Sequence, residues 1–178
     1  MRTSWKMLAA MTVLISSAAV FAASEKCSES EKCPVKPPAA SRELERMKSL
    51  AGRWEGTSPH GPMTVEYQVT SGGSAVVEKL APGTPNEMVS VYHDSNGKLA
   101  MTHYCMLGNQ PRLVLEKADA KRIKLDFDDD QEINPKRDDH MHAVTIEFKD
   151  RNHIVESWQG YHGGKLAEPM VIKLSRKS

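Results

Sequence analysis

The 178-residue sequence lacks an excess of charge of either sign. Its 24 Lys and Arg residues are balanced by 23 Asp and Glu residues, which gives a formal net charge of +1. A chain without a positive excess attracts phosphates weakly, so nucleic acid is not an expected partner. With 39% hydrophobic and 26% charged residues, the composition is typical of one soluble globular domain and excludes collagen-like and strongly charged disordered chains.

The sequence also lacks the motifs that mark common catalytic centres. It has no Gly-x-Ser-x-Gly elbow, no P-loop and no His-Glu-x-x-His helix. Glu66, Glu78 and Glu156 lie among apolar residues, where a carboxyl can have a raised pKa, but their spacing pairs none of them. The sequence therefore favours a function without catalysis.

No hydrophobic run is long enough to span a bilayer. The apolar stretch 7–15 is shorter than the roughly 20 residues that a transmembrane helix needs. It follows Arg2 and Lys6 and precedes small residues up to Ala22, which is the order of a secretory signal peptide. We expect residues 1–22 to be removed and the protein to be exported to the periplasm or the extracellular space, without a stable membrane anchor. The alternative is that this segment is not cleaved and serves as a membrane anchor.

Cysteine is scarce, with three residues in the chain. Residues 23–40 are polar and proline-rich, so we expect a disordered tether. Cys27 and Cys33 lie in this tether and could form a disulfide in an oxidising compartment. Cys105 falls in an apolar alternating run and is interpreted as a small buried hydrophobe.

The pattern from residue 41 onward predicts an all-β domain with one short helix. Ser41 is a candidate N-cap, and Leu44, Met47 and Leu50 recur at helical spacing before Gly52. The period then changes from 3.6 to 2, with turn residues between short runs. Ten strands are predicted, near 53–58, 63–70, 75–81, 87–93, 98–107, 111–118, 121–128, 140–149, 153–161 and 167–175. Because short connections favour a meander and closure removes its edges, we expect residues 41–178 to form an antiparallel up-and-down barrel of about ten strands, capped by the helix.

The entry into the first strand carries a family resemblance. The segment Gly52-Arg53-Trp54-Glu55-Gly56 follows a short helix and resembles the start of lipocalin-like calycin barrels, especially nitrobindin-type and related secreted bacterial proteins. The resemblance implies a closed barrel around a small apolar molecule, with Trp54 packed across the closed end. Nitrobindin-type proteins hold haem through a histidine near the C-terminus. The last predicted strand contains no histidine, so haem is not supported here.

Alternation along the strands sorts the histidines by face. His103 shares a face with Leu99 and Met101, and His140 and His142 share one with Val144, so all three imidazoles are expected inside the barrel. The same rule places Val89 and Val91 on the inner face. Two imidazoles at i and i+2 can bridge a tetrahedral ion, and His103 could complete a zinc site. The alternatives are hydrogen-bonded interior polar groups and direct recognition of a ligand.

The favoured hypothesis is an exported barrel, monomeric or weakly associating, that binds a small apolar or amphipathic molecule. Arg112 could pair with a ligand carboxylate or be a solvated edge residue. A metal-binding protein with hydrolytic potential and a structural domain with a filled core are the competing interpretations. The candidate ligand-binding residues are His103, His140, His142, Tyr67, Tyr104, Met101 and Arg112, of which the three histidines are also the candidate metal ligands.

Overall fold

The computed structural model of the protein describes residues 39–129 and 132–177. The predicted signal peptide, the disulfide between Cys27 and Cys33 and nearly all of the tether lie outside these residues. Within them, no helix is long and apolar enough to cross a membrane.

The predicted helix is present as α1, Arg42–Lys48. Ser41 is its N-cap, and its Oγ accepts a hydrogen bond from the Leu44 amide at 3.1 Å. Asp94 fixes this cap from the sheet, because its carboxylate accepts from both Ser41 N and Ser41 Oγ at 2.6 Å. The helix is therefore joined to the barrel at its N-cap.

Eleven strands follow in the described part of the chain, with one 3₁₀ turn at Ser71–Gly73. They are β1 Gly52–Ser58, β2 Gly61–Thr70, β3 Ala75–Leu80, β4 Met88–Ser95, β5 Lys98–Tyr104, β6 Arg112–Ala118, β7 Arg122–Phe127, β8 His140–Phe148, β9 His153–His162, β10 Lys165–Leu166 and β11 Met170–Arg176. Each of the ten predicted strands corresponds to one of these, and the two-residue β10 is an addition.

The strands form a closed antiparallel barrel of ten strands. Strands β1 to β9 are neighbours in chain order, and β11 lies between β9 and β1. The pairings of β8 with β9 and of β1 with β11 complete the ring, whereas β10 pairs with β9 alone. This arrangement confirms the predicted fold class and is consistent with a calycin-like fold.

The helix closes one end of the barrel, here called the helix end. Leu44, Met47 and Leu50 are buried in the same core cluster as Trp54. The indole Nε1 of Trp54 donates to the Leu50 carbonyl at 2.8 Å, and the Arg176 guanidinium lies 4.3 Å from the Trp54 ring centroid. Trp54 therefore packs between the helix and the last strand.

The opposite end, here called the loop end, carries the longer connections 81–87, 105–111 and 128–139. Two of them are joined directly, since Asn109 Nδ2 donates to the Asp139 carbonyl at 2.7 Å. The Asp139 carboxylate also accepts from the Gly163 amide at 2.8 Å. The loop end is thus the side on which a ligand could reach the interior without displacing the helix.

Candidate ligand-binding site inside the barrel

The barrel interior contains two carboxyl groups that share one hydroxyl. Glu78 on β3 and Glu156 on β9 are both 0% exposed. The Tyr67 hydroxyl lies 2.9 Å from Glu78 Oε1 and also contacts Glu156 Oε1. The second oxygen of Glu78, Oε2, accepts from the Tyr92 hydroxyl at 2.9 Å. The second oxygen of Glu156, Oε2, accepts from Trp158 Nε1 at 3.0 Å. All four carboxyl oxygens therefore have a partner.

This hydrogen-bond pattern requires a carboxyl proton. A tyrosine hydroxyl has one hydrogen, so Tyr67 can donate to only one of the two carboxyl groups. Its other contact must be a hydrogen bond that it accepts from a protonated carboxyl. One of Glu78 and Glu156 is therefore a neutral acid in this arrangement, and the pair carries one negative charge.

The electrostatics of the site agree with a retained proton. Burial raises the pKa of both carboxyls. The negative charge of Glu156 raises the pKa of Glu78 further, whereas the hydroxyl groups that donate to Glu78 lower it. Burial also raises the pKa of Tyr67 and Tyr92 well above their ordinary value, so both remain hydrogen-bond donors.

His103 lies beside this pair and is connected to it through Ser90. Its ring is 1% exposed and packs 4.9 Å, centroid to centroid, from the Trp158 ring. His103 Nδ1 is 3.0 Å from Ser90 Oγ, and Ser90 lies opposite Glu78 in the β3–β4 pairing, where its hydroxyl lowers the pKa of Glu78. Burial lowers the pKa of His103 to about 4, so the imidazole is neutral near pH 7.

The contact with Ser90 bears on the tautomer of His103, because the Ser90 hydroxyl has one hydrogen to donate. When Ser90 donates that hydrogen to Glu78, which lies opposite it in the β3–β4 pairing, Ser90 Oγ accepts from His103 and Nδ1 carries the imidazole hydrogen. Nε2 then presents a lone pair. That atom is buried and has no hydrogen-bond partner among residues 39–129 and 132–177, which is uncommon for a buried polar group.

Methionines surround the loop end above His103. Met63, Met88, Met141 and Met170 belong to β2, β4, β8 and β11 and lie near the strand ends that face the loop end. All four are partly buried and pack against the core cluster. Their unbranched, flexible side chains can rearrange around ligands of different shape. The interior near His103 is therefore covered by side chains that can move.

A surface cleft of about 450 Å³ lies at the same end, between the loops 105–111 and 128–139. Its lining includes Asn109, Gln110 and Ile133, and Ile133 packs against the core cluster. The Asn109 Oδ1 atom is buried and finds no hydrogen-bond partner in the described part of the chain. Asn109 and Gln110 therefore line a cleft at the rim of the barrel.

His140 and His142 lie together, but not with His103. A register shift in the β8–β9 pairing between Met141 and Ala143 places Met141 opposite Gly160 and His140 opposite Tyr161. This β-bulge interrupts the alternation that predicted one continuous inner face. No group of three or more His, Cys, Asp or Glu side chains that could hold a metal ion occurs in 39–129 and 132–177. The predicted three-histidine zinc site is therefore not assembled.

The other candidate residues divide between the inside and the outside of the barrel. Met101 and Tyr67 are buried inside. Tyr104 is 50% exposed. Arg112 is opposite the outward-facing Thr102 and forms an ion pair with Asp128, so its guanidinium does not point into the interior.

Strand β4 contradicts the predicted inner face. Ser90 and Tyr92 are 0% exposed, whereas Val89 and Val91 are only partly buried. The prediction that Val89 and Val91 face the interior was wrong because the interior beside β4 is lined by polar side chains. A usable signal was present, since Glu78 alternates with Val76 and Leu80, and Glu156 alternates with Ile154 and Trp158. Ser90 carried no such signal.

No protein-family model matches this chain, and no curated protein matches it at a significant level. The fold and the site geometry therefore carry the functional argument.

Proposed function

We propose that this protein is an exported barrel that binds a small, largely apolar molecule at its loop end, and that the molecule donates one hydrogen bond to His103. The supporting observation is the buried Nε2 atom of His103, which has no hydrogen-bond partner among the described residues; with the Ser90 hydrogen donated to Glu78, this atom is an acceptor. Trp158 beside it offers a flat apolar contact. The closed barrel is consistent with a calycin-like fold. The resemblance to nitrobindin-type barrels remains part of this proposal, and the proposed ligand is not haem.

The chemistry of the site selects the ligand class. A neutral imidazole acceptor among apolar side chains favours a hydroxyl or N–H donor over a carboxylate, because a carboxylate cannot donate to that atom and the carboxyl pair nearby would repel it. Methionine side chains at the entrance would move to admit the ligand. Burial of its apolar body would supply about 25 cal/mol per Å², and the bond to His103 would fix its orientation.

A matched pair of probes tests this proposal. In calorimetric titrations, 2-naphthol should bind more tightly than 2-methoxynaphthalene, which lacks the donor, by about 1 kcal/mol or roughly fivefold. In His103→Phe, which keeps an aromatic ring against Trp158, the difference should disappear. His153→Ala, at an exposed histidine, is the control and should retain it. Equal binding of the two probes to the unaltered protein, or no binding of either up to its solubility, would contradict the proposal.

A further inference from the structure

The hairpin between β5 and β6 carries two buried polar atoms that lack a partner. Within residues 39–129 and 132–177, three buried side-chain nitrogen or oxygen atoms have no hydrogen-bond partner, and two of them are His103 Nε2 and Asn109 Oδ1. The third belongs to Arg46 of α1. Such atoms are uncommon in folded proteins, so two of them on one hairpin of the loop end call for a common explanation.

The amide of Asn109 is oriented by its other contact. Its Nδ2 atom donates to the Asp139 carbonyl at 2.7 Å, and a carbonyl oxygen can only accept a hydrogen bond. The reverse orientation of the amide would bring two acceptors together. Oδ1 is therefore the atom that is left to accept, and the partner that it requires is a hydrogen-bond donor.

Asn109 and His103 extend from the same face of the hairpin. The His103 amide donates to the Pro111 carbonyl at 2.9 Å. Two residues further on, the Cys105 amide donates to the Asn109 carbonyl at 3.1 Å. Asn109 is therefore opposite Cys105, which shares the face of His103 because strand residues alternate. Two residues along a strand and one strand spacing place the Cα atoms of His103 and Asn109 roughly 8 Å apart.

The Asn109 side chain reaches across part of the loop end. Asp139, which holds its amide, directly precedes β8, and β8 is three strands from β5 in the ring. The cleft beside Asn109 is lined by Ile133, which packs against the core cluster. The two charged residues of the cleft lining, Glu132 and Asp138, are both acidic. A neutral or cationic donor is therefore favoured at Asn109 over an anionic group.

We propose that Asn109 Oδ1 is a second anchor for the ligand and accepts a hydrogen bond from a donor at the end opposite the one held by His103. This inference rests on the proposed function, which supplies the inner anchor. It narrows the ligand to an elongated apolar molecule, about two rings long, with a hydroxyl or N–H group at each end. A molecule with one donor would leave one buried acceptor unpaired, and that loss makes the site selective.

The test is calorimetric titration of the full chain with three probes on one naphthalene frame. The probes are 2,6-dimethoxynaphthalene, 6-methoxy-2-naphthol and 2,6-dihydroxynaphthalene, which differ only in the number of donors they offer. We expect the affinity to rise about fivefold with each donor. In Asn109→Ala the second step should fall to about twofold, the statistical gain that remains because either hydroxyl of the diol can reach His103.

Gln110→Ala, at the exposed neighbour in the same cleft lining, is the control and should keep both steps. Circular dichroism and a retained first step establish that Asn109→Ala is folded with its inner anchor intact. Equal binding of 6-methoxy-2-naphthol and the diol to the unaltered chain, which needs no variant, would assign Oδ1 to water and overturn the inference, while a first step would still support the proposed function. A full second step in Asn109→Ala would place the donor on another group and overturn the inference as well. If no probe binds, both fail.

Discussion

Gly56→Ala is expected to destabilise the barrel by about 3 kcal/mol or more, enough to unfold a domain of ordinary stability. Gly56 lies at the seam where β1 pairs with β11, opposite Leu174. A Cβ at this position would lie 1.7 Å from the Lys173 carbonyl oxygen and 2.8 Å from its carbonyl carbon. Both atoms belong to the main chain, so no side-chain rotation relieves the overlap, and the two strands must separate.

The consequence is large because this seam closes the ring. Without the β1–β11 pairing, both strands would become exposed edges, which are prone to association. Urea unfolding followed by circular dichroism measures the loss, and the soluble yield reports association. Thr57→Ala changes the next, exposed residue of the same strand and should cost less than about 0.5 kcal/mol. A Gly56→Ala variant as stable as Thr57→Ala would show that the strands can part at little cost.

The second large effect is a pH dependence of stability that Glu156→Gln should reduce, because only one buried carboxyl then remains. An unfolded carboxyl loses its proton near its ordinary pKa of 4.5, whereas the buried pair keeps one proton to higher pH. Above pH 4.5 the folded state therefore holds one proton more than the unfolded chain. The free energy of unfolding then falls by about 1.4 kcal/mol per pH unit until the raised native pKa is reached.

His103 produces the opposite slope over part of this range. Its pKa falls from 6.5 to about 4 on burial, so between these values the unfolded chain holds the extra proton and stability rises with pH. The two contributions oppose each other from about pH 4.5 to 6.5, and above 6.5 the contribution of the carboxyl pair remains alone. Subtracting the curve of Glu156→Gln from that of the unaltered protein cancels the contribution of His103.

Glutamine suits this position because it keeps the shape of the glutamate side chain without its charge. Its amide can donate to the Tyr67 hydroxyl while its carbonyl accepts from Trp158 Nε1, and Glu78 keeps its own donors. The difference between the two stability curves should fall with rising pH, as measured by urea unfolding at pH intervals. Glu66→Gln, at an exposed glutamate paired with Arg53, should leave the pH dependence intact. Parallel curves for the unaltered protein and Glu156→Gln would mean that the pair retains no extra proton.

Much of the architecture followed from local sequence. The capping serine, the period of 2 and the turn residues predicted the helix and all ten strands of the ring, with differences of a few residues at their ends. Prediction succeeded here because strand alternation and turn chemistry act between residues close in sequence. The meander also made closure predictable, since an open sheet would expose two edges.

The site was predictable only in part. His103, Met101 and Tyr67 were assigned to the interior by alternation and are buried there. The pairing of Glu78 with Glu156 was not predictable, because their strands meet only through side chains that cross the barrel. The inward position of Ser90 and Tyr92 was missed because alternation identifies the apolar face, and this level of the interior is polar.

The sequence by itself determined the all-β class, the strand count and the helix that caps one end, since these follow from local periodicity. Only the tertiary structure decided which polar groups meet. Strands β5 and β8 are not neighbours in the ring, so His103 lies apart from His140 and His142, and barrel closure brought Glu78, Tyr67 and Glu156 into contact. Register and closure join residues far apart in the chain, and a one-residue shift reverses the face of every residue beyond it.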